Sequence, residues 1–373
     1  MSFLWYWPDN GAGSWNFDKW KAIQTWKPVH SEQSGTHELV APIEQGATPQ
    51  QWEEKRKMWQ GITDQLLGTL TDRAPTQVRF EMLGETLESR GESPYTMRRL
   101  RYTLTDKEWG YAWLLVPKNL KGRGAAMLAL HQTSCDGKSE AVGFDVLPDQ
   151  INGVWYAREL AEQGFVVFAP DAIAFGERQS GHANAYYHSA DEFFGAQPQG
   201  SVMGKMAYDT SRALDVMQQL PEVDASRMGC LGHSHGGYGT LFAMLADQRI
   251  KAGVISCGMD LFRDDAHPDR WWRMTSLIPR LGLYDGKMEN TPIDFQIWVA
   301  MIAPRPLLVS IATRDRIFPN TAHLPGAIDT LSRRAYRIMG DADALKVHHF
   351  ASDHCFPPDV RTMAYQMLRE RLS

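Results

Sequence analysis

One serine of this chain has the neighbours that a nucleophile needs. Ser234 lies at the centre of Gly232-His-Ser-His-Gly236, after the apolar stretch 228–231 and before 237–246, where apolar residues recur at helical spacing. The spacing G-x-S-x-G predicts a sharp strand-to-helix turn that holds the serine in a strained conformation with its hydroxyl exposed. Glycines on both sides let strand and helix approach closely, because a Cβ there would clash. We therefore interpret Ser234 as a nucleophile rather than as a structural serine in a glycine-rich turn.

A serine hydroxyl also needs a general base, and the base needs an acid that orients it. Asp315 and His354 each follow a predicted strand, at 306–311 and 346–350. Catalytic groups of open α/β sheets meet at such strand ends, and the chain order serine, aspartate, histidine is typical of an α/β-hydrolase triad. We predict that Asp315 orients His354 and that His354 moves the proton. Asp260, at a neighbouring strand end, is the alternative acid.

Acyl transfer further requires hydrogen-bond donors for the negatively charged oxygen of the tetrahedral intermediate. We predict that the backbone N–H of His235, the residue after the nucleophile, is one donor of this oxyanion hole. The second donor is predicted in the turn 131–137, at Thr133, with Gln132 as the alternative. The competing interpretation is that these polar residues only satisfy the backbone of the loop.

The segments around these residues predict an α/β scaffold. The β-rich stretches 78–87, 96–105 and 108–116 indicate an antiparallel meander. The continuous apolar stretch 125–130 then indicates a strand that is covered on both faces. Strands and helices alternate from there, which predicts a mostly parallel, doubly wound sheet with antiparallel leading strands. The predicted helices are 153–163, 202–220, 237–246 and 360–372, and the further strands are 165–169, 228–232, 252–256, 306–311 and 346–350.

The first part of the chain differs in composition from the rest. Residues 1–75 are rich in tryptophan, and Thr48-Pro49 supplies an N-cap and a first-turn proline for a helix from residue 50 onward. We predict a helical N-terminal extension, 1–75, that lies on a catalytic domain, 76–373.

Two insertions of the catalytic domain are predicted to shape the substrate pocket. They lie at about 171–200 and 259–296, after strands, where long connections commonly act as lids. Their aromatic side chains are candidate contacts for an apolar or ring-bearing part of the substrate, and internal packing of the lid is the alternative. The candidate substrate-binding residues are Trp271, Trp272, Phe194 and Tyr187.

Composition limits the partners of this chain. Its 373 residues carry a net charge of -5, which gives no electrostatic reason to expect nucleic acid or an anionic membrane as a partner. The start of the chain lacks the features of a signal peptide, and the four cysteines are scattered without metal-type spacing. We expect a cytoplasmic protein without disulfides or a bound metal, and leave open whether it forms a homo-oligomer.

Several stretches of the chain resemble the α/β-hydrolase superfamily, in its dienelactone-hydrolase-like and acetyl-xylan-esterase-like branch. The resemblance implies a carboxylic-ester hydrolase that works without a metal or organic cofactor. Dienelactone hydrolases themselves carry a cysteine nucleophile, so Ser234 favours ordinary esterase chemistry. The matching stretches are Leu128–Thr133, Ala169–Arg178, Gly229–Gly237, Ile302–Leu307 and Asp353-His354.

These observations together predict a serine carboxylesterase. Its substrate is expected to be a small or medium ester, with acetylated carbohydrate as one candidate, and the reaction is expected to pass through an acyl-enzyme on Ser234. A peptidase of the same fold is the nearest rival function, and no propeller-like repeat precedes the domain. An acyltransferase and a non-catalytic binding protein that retains the fold are two more functions compatible with these residues.

Overall fold

A single β-sheet organises the chain. The computed structural model describes residues 17–28, 39–72, 77–85, 93–134, 136–144, 155–179, 192–273, 276–318 and 323–373. Within them the sheet has nine strands: β1 Phe80–Glu85, β2 Tyr95–Thr103, β3 Trp109–Pro117, β4 Gly124–Leu130, β5 Val166–Pro170, β6 Val223–His233, β7 Ile250–Ser256, β8 Leu307–Ala312 and β9 Leu345–Phe350. Their spatial order is β1-β2-β3-β5-β4-β6-β7-β8-β9.

The helices of the described residues connect and cover these strands. The α-helices are α1 Phe17–Ala22, α2 Pro49–Leu67, α3 Lys138–Ala141, α4 Tyr156–Glu162, α5 Val202–Met217, α6 His235–Ala246, α7 Phe295–Met301, α8 Leu324–Ala327, α9 Arg333–Ile338 and α10 Pro358–Leu372. Short 3₁₀ turns lie at Gly176–Arg178, Pro268–Trp271, Pro279–Tyr284, Met288–Asn290 and Ala342–Ala344, and a π turn lies at Ile328–Ser332.

Strand directions confirm the predicted doubly wound sheet with antiparallel leading strands. β1, β2 and β3 pair antiparallel, and β3 pairs antiparallel with β5. All pairs from β5 to β9 are parallel, so the carboxyl ends of those strands share one edge. Leu128 of β4 lies between Phe168 of β5 and Cys230 of β6, directly below the elbow that ends β6. This edge is where the predicted catalytic residues meet.

Some predicted boundaries differ from those observed. β6 begins at Val223, five residues before the predicted start, because Val223 pairs with Gly124 and the Gly124 N–H binds the carbonyl of Glu222. These partners lie about a hundred residues apart in the sequence, so the local pattern does not contain them. α6 begins at His235 rather than at residue 237.

Two apolar layers cover the faces of the sheet. Adjacent residues of a strand point to opposite faces, so Met127 joins one layer and Leu128 the other. The layer on the Met127 face is built from α4 and α10, and the layer on the Leu128 face from α5, α6 and α7. In the second layer Phe242 of α6 packs edge-to-face on Trp298 of α7, with ring centroids 4.8 Å apart. This double covering holds α6, and with it the elbow, in one position.

α2 packs into the same core. Thr48 and Gln51 form a capping box at its start, as the Thr-Pro pair predicts. Trp52 and Trp59 are fully buried, and the Trp298 indole donates to the Thr63 hydroxyl at 2.9 Å. The predicted boundary at residue 75 lies outside the described residues, and the division into extension and catalytic domain stays a prediction. None of the described helices has the length and apolarity needed to cross a membrane.

Candidate active site

Ser234 has an unusual backbone conformation. Its φ of 56° and ψ of -117° lie in a region that costs a non-glycine residue about 1–3 kcal/mol. The Ser234 N–H donates to the carbonyl of Ser256 at 2.8 Å, and the Ser234 carbonyl accepts from Gly237 at 2.8 Å. These two bonds hold the strained residue against the end of β7 and the first turn of α6. The turn has the strained strand-to-helix geometry that the sequence predicts, and the role of Ser234 as nucleophile stays a prediction.

The flanking glycines are required by close backbone approach. A Cβ on Gly232 would overlap the carbonyl of Gly236, and a Cβ on Gly236 would overlap the carbonyl oxygen of Leu130. A Cβ on Gly237 would come within 2.8 Å of the carbonyl oxygen of Ser256. The missing side chains let α6 start against the ends of β4 and β7. The same approach brings the loop after β4 to the elbow.

His354 and Asp315 form a hydrogen-bonded pair at the carboxyl ends of adjacent strands. His354 Nδ1 lies 2.7 Å from Asp315 Oδ2. The other carboxylate oxygen, Oδ1, accepts from the backbone N–H groups of Ile317 at 2.8 Å and Phe318 at 2.9 Å. The Asp315 side chain is only 1% exposed, whereas that of His354 is 16% exposed. The buried acid therefore has a fixed orientation, and it holds a base that reaches solvent.

Ring contacts place His354 at the elbow. Its imidazole lies 4.8 Å from that of His233, the residue directly before Ser234. His233 is buried, its Nδ1 lies 3.0 Å from Ser256 Oγ, and burial together with the nearby His354 lowers its pKa well below the ordinary value. His233 is thus a neutral packing partner of His354. Among the described residues, Ser234 Oγ and His354 are not hydrogen-bonded to each other. In enzymes without bound substrate, the bond between nucleophile and base is often long and shortens only when substrate binds.

The alternative acid occupies a different environment. Asp260 is fully buried, and its Oδ1 accepts from the N–H of Leu261 at 2.8 Å. Burial, reinforced by the neighbouring Asp265, raises the pKa of Asp260 to about 8. His354 Nδ1 donates its hydrogen bond to Asp315, so the geometry favours Asp315 over Asp260 as the orienting acid.

The predicted oxyanion donors lie in the two segments that the glycines bring together. His235 is the first residue of α6, where backbone N–H groups have no partner within the helix. Thr133 and Gln132 follow β4, and the Gln132 side chain donates to Glu140 Oε1 at 2.9 Å, which anchors the loop. The oxyanion role of these residues stays a prediction.

His131, like His233 above, is a buried histidine near the predicted site that the sequence did not reveal. His131 Nδ1 lies 2.6 Å from the carbonyl of Gln132, and His131 Nε2 accepts from the N–H of Ala172 at 3.0 Å. Its ring stacks on that of His235 at 5.9 Å. Burial lowers the pKa of both, to about 3 for His235, so the stack stays uncharged. The only signal in the sequence was that His131 and His233 directly precede predicted site residues.

The aromatic candidates for substrate binding lie mainly in packed surroundings. Trp271 and Trp272 are 1% and 0% exposed, and Trp271 packs on Tyr238, with centroids 5.5 Å apart. Phe194 is 7% exposed and packs on Phe193 at 5.0 Å. This burial favours the packing alternative for all three. Tyr187 lies outside the described residues.

One group of side chains has the composition of a metal site. The donor atoms of Cys257, Asp315 and His354 lie within 4.8 Å of one another. Burial raises the pKa of Cys257 to about 12, its sulfur donates to the carbonyl of Cys355 at 3.4 Å, and the other two residues bind each other. A thiolate is the form that binds metals. The protonated thiol and the paired imidazole therefore fit acyl transfer better than metal binding.

Comparison with known proteins identifies the family of the chain. Residues 154–321, less than half of the chain, match the prolyl oligopeptidase family. The Bacillus subtilis protein named "Putative hydrolase YtaP" is 30% identical over 316 residues, which are 82% of this chain and 96% of YtaP. This chain belongs to the YtaP hydrolase family. The predicted relationship to the α/β hydrolases is confirmed.

Two further proteins are similar to this chain. Carbohydrate esterase MZ0003, from an unknown prokaryotic organism, is 26% identical over 176 residues, which cover 44% of this chain and 40% of MZ0003. The structure of a glucuronoyl esterase from Solibacter usitatus superposes with a TM-score of 0.72 at 16% identity, over 92% of this chain and 100% of the esterase. At that identity the superposition confirms the predicted fold.

Proposed function

We propose that this chain is a serine carboxylesterase that cleaves esters of carbohydrates. The observation that carries the proposal is the 2.7 Å bond between His354 and Asp315, beside a Ser234 held at positive φ. Acyl transfer through a covalent intermediate requires a nucleophile, a base that takes its proton and an acid that orients the base. The alcohol or acid part of the ester is assigned to a carbohydrate because MZ0003 and the Solibacter protein are named as carbohydrate and glucuronoyl esterases.

The first half of the reaction forms an acyl-enzyme. Ser234 Oγ attacks the ester carbonyl carbon while His354 Nε2 takes the hydroxyl proton. The backbone N–H groups of His235 and Thr133 donate to the resulting oxyanion. When the intermediate collapses, the bond between carbonyl carbon and alkoxy oxygen breaks. The alcohol leaves with the proton from Nε2, and the acyl group remains as an ester of Ser234.

The second half of the reaction returns the enzyme to its starting state. A water molecule loses a proton to His354 Nε2 and attacks the acyl carbon, and the second tetrahedral intermediate expels Ser234 Oγ, which regains that proton. Asp315 Oδ2 accepts the hydrogen bond from the Nδ1–H of His354 throughout, without taking the proton, and stabilises the imidazolium formed in each half. Because its other oxygen is already held by two N–H groups, the carboxylate needs no reorientation during the reaction.

Trapping the acyl-enzyme tests this mechanism. Brief reaction with p-nitrophenyl acetate should add one acetyl group to the peptide that contains Ser234, detected by mass spectrometry after acid quenching. Ser234→Ala should abolish both the adduct and turnover, whereas Ser226→Ala, on an exposed serine, should change neither. An undiminished rate in Ser234→Ala would refute the mechanism. Hydrolysis of p-nitrophenyl acetate without hydrolysis of any acetylated sugar or uronate ester would refute only the substrate class.

Peptidase activity is the second candidate, because the match at residues 154–321 is to the prolyl oligopeptidase family. Dipeptidyl p-nitroanilides distinguish the two: the esterase proposal predicts no release of nitroaniline under conditions that cleave esters completely. An alcohol acceptor added to the esterase assay would reveal an acyltransferase through a transferred product. A cytoplasmic location stays a prediction from the sequence, and the oligomeric state stays open.

A further inference from the structure

A cavity of about 290 Å³ lies between the loop that follows β5 and the first turns of α5. Its volume is at the lower end of the range for small-molecule pockets, about 300–1,000 Å³, which suits one ring-sized group. The residues that define it chemically are Glu108, Arg178, Lys205, Phe193, Tyr208 and Ile173.

Two side-chain contacts connect the cavity to the elbow. The ring of His235, next to Ser234, stacks on that of His131, and His131 Nε2 accepts from the N–H of Ala172. Ile173, the next residue, lines the cavity. A group bound there would lie on the β5 side of the nucleophile.

The polar floor of the cavity is a closed network of charges. Glu108 binds Arg178 and Lys205, at 2.6 Å each, through its two carboxylate oxygens. Asp209 Oδ2 lies 2.8 Å from Arg178, and Asp209 Oδ1 binds Lys205. Burial raises the pKa of Glu108, but the charges of Arg178 and Lys205 outweigh burial and lower it, so both carboxylates balance both cations.

This balance determines which ligands the floor can accept. The side chains of Arg178 and Lys205 are at most 8% exposed. Both are already paired with the carboxylates of Glu108 and Asp209. Asp72 and Glu192 add negative charge to the lining. A carboxylate or phosphate ligand would meet repulsion without a new ion pair. A neutral hydroxyl group can still donate to Glu108, whose side chain is 33% exposed.

The walls of the cavity are apolar and aromatic. Phe193 and Tyr208 present rings, and Leu70 and Ile173 present aliphatic surface. The Tyr208 hydroxyl donates to the carbonyl of Leu104 at 2.7 Å, which fixes that ring. A pyranose has the matching pattern, since its C–H faces are apolar and its hydroxyls lie around the rim of the ring.

We propose that this cavity binds one neutral sugar residue of a glycan ester while the ester itself reaches Ser234. The inference rests on the proposed esterase function and adds the part of the substrate that does not react. Binding energy from such a remote part positions the reacting bond.

A pair of adjacent substitutions tests the site. Ala196 is exposed and lines the cavity, so Ala196→Trp should fill it without disturbing the core. Gly195 is exposed, has open space around its Cβ position and does not line the cavity, so Gly195→Trp is the matched control. Both residues lie in the helical segment 192–196, where neighbours point in different directions.

Binding is measured in Ser234→Ala, so that no turnover is needed. Saturation-transfer NMR should detect xylobiose and cellobiose but not glucuronate, and Ala196→Trp should weaken the neutral disaccharides at least tenfold while Gly195→Trp leaves them unchanged. In the active chain, Ala196→Trp should raise KM for acetylated xylobiose about tenfold and leave kcat/KM for p-nitrophenyl acetate unchanged.

Three results would overturn the proposed site: no binding of the neutral sugars, binding of glucuronate without them, or equal effects of both tryptophan variants. If xylobiose binds and the active chain cleaves no ester, the esterase function fails and the sugar site stands. If esters are cleaved and no neutral sugar binds, only the sugar site fails.

Discussion

His354 Nδ1 and Asp315 Oδ2 lie 2.7 Å apart although the two residues are separated by 39 positions in the sequence. Their strands, β8 and β9, are parallel neighbours, and the Thr313 N–H binds the carbonyl of Phe350 where both strands end. The sheet therefore brings Asp315 and His354, the predicted acid and base, into contact. Asp315 accepts three hydrogen bonds there, which leaves its carboxylate a single orientation.

Replacing that carboxylate should disable the base without unfolding the chain. Asp315→Asn keeps the size of the side chain but cannot hold His354 in the tautomer that accepts a proton at Nε2, so kcat for ester hydrolysis should fall by roughly 10³–10⁴. Asp353→Asn is the matched control, because Asp353 Oδ1 accepts from the backbone N–H of His354, a bond that asparagine also makes, and only Oδ2 pairs with the exposed Arg316. Steady-state kinetics on p-nitrophenyl acetate make the comparison. Similar losses in both variants would contradict the assignment of Asp315.

Arg270 should act as a positioning residue for Asp315. Its guanidinium donates to the carbonyl of Ile317, binds Asp265 Oδ1 at 2.8 Å and lies 5.3 Å from the ring centroid of Phe318. It thus holds the loop whose N–H groups bind Asp315. Arg270→Met should lower kcat by about tenfold to a hundredfold with KM nearly unchanged, because a small displacement of a catalytic group is costly.

Two companion variants separate positioning by Arg270 from stability. Arg270→Lys keeps the charge beside Asp265 and should restore part of kcat. Adding Asp265→Asn to Arg270→Met removes the unpaired buried charge and should recover thermal stability without recovering kcat. Recovery of kcat together with stability would show that Arg270 has only a structural role.

Two helical glycines should respond in opposite directions to alanine. Gly236→Ala would force a Cβ into the carbonyl of Leu130, so the free energy of unfolding should fall by about 1–3 kcal/mol and activity should be lost. Gly61 lies inside α2 with nothing within 4 Å of its Cβ position, so Gly61→Ala should raise stability by about 0.5–1 kcal/mol. Urea unfolding measures both. An unchanged free energy of unfolding in Gly236→Ala would contradict the close approach of α6 to β4.

The buried histidine stack should make the fold sensitive to acid. The pKa of His235 is about 3 in the folded chain and about 6.5 when unfolded, so below pH 6.5 the unfolded state binds a proton that the folded state does not. Stability from this residue is complete above pH 6.5 and is lost toward pH 3, by about 1.4 kcal/mol per pH unit. His235→Phe, which keeps a ring beside His131, should reduce that slope by this amount in urea unfolding at pH 6, 5 and 4.

An exposed histidine provides the control for this pH dependence. His349→Phe, on the outer strand β9, makes the same substitution at an exposed position and controls for the change of side chain itself. The assignment fails if His235→Phe and the unaltered chain lose stability in parallel as pH falls.

The amino-acid sequence by itself determined the elbow and the succession of strands and helices. The glycines around Ser234 meet a steric requirement of the turn, and the alternating apolar stretches reflect burial of each strand and helix. Both signals depend on residues that are close together in the chain, so they can be read from the sequence. The positions of Asp315 and His354 after predicted strands followed from the same information.

Only the tertiary structure decided which acid His354 contacts and which aromatic side chains face inward. Asp315 and Asp260 both follow strands. In the folded chain Asp315 is hydrogen-bonded to His354, whereas Asp260 is buried beside Asp265. Trp271 and Trp272 could have faced substrate, but they pack in the core. Such outcomes depend on strand order and on contacts between distant segments, which no local pattern contains.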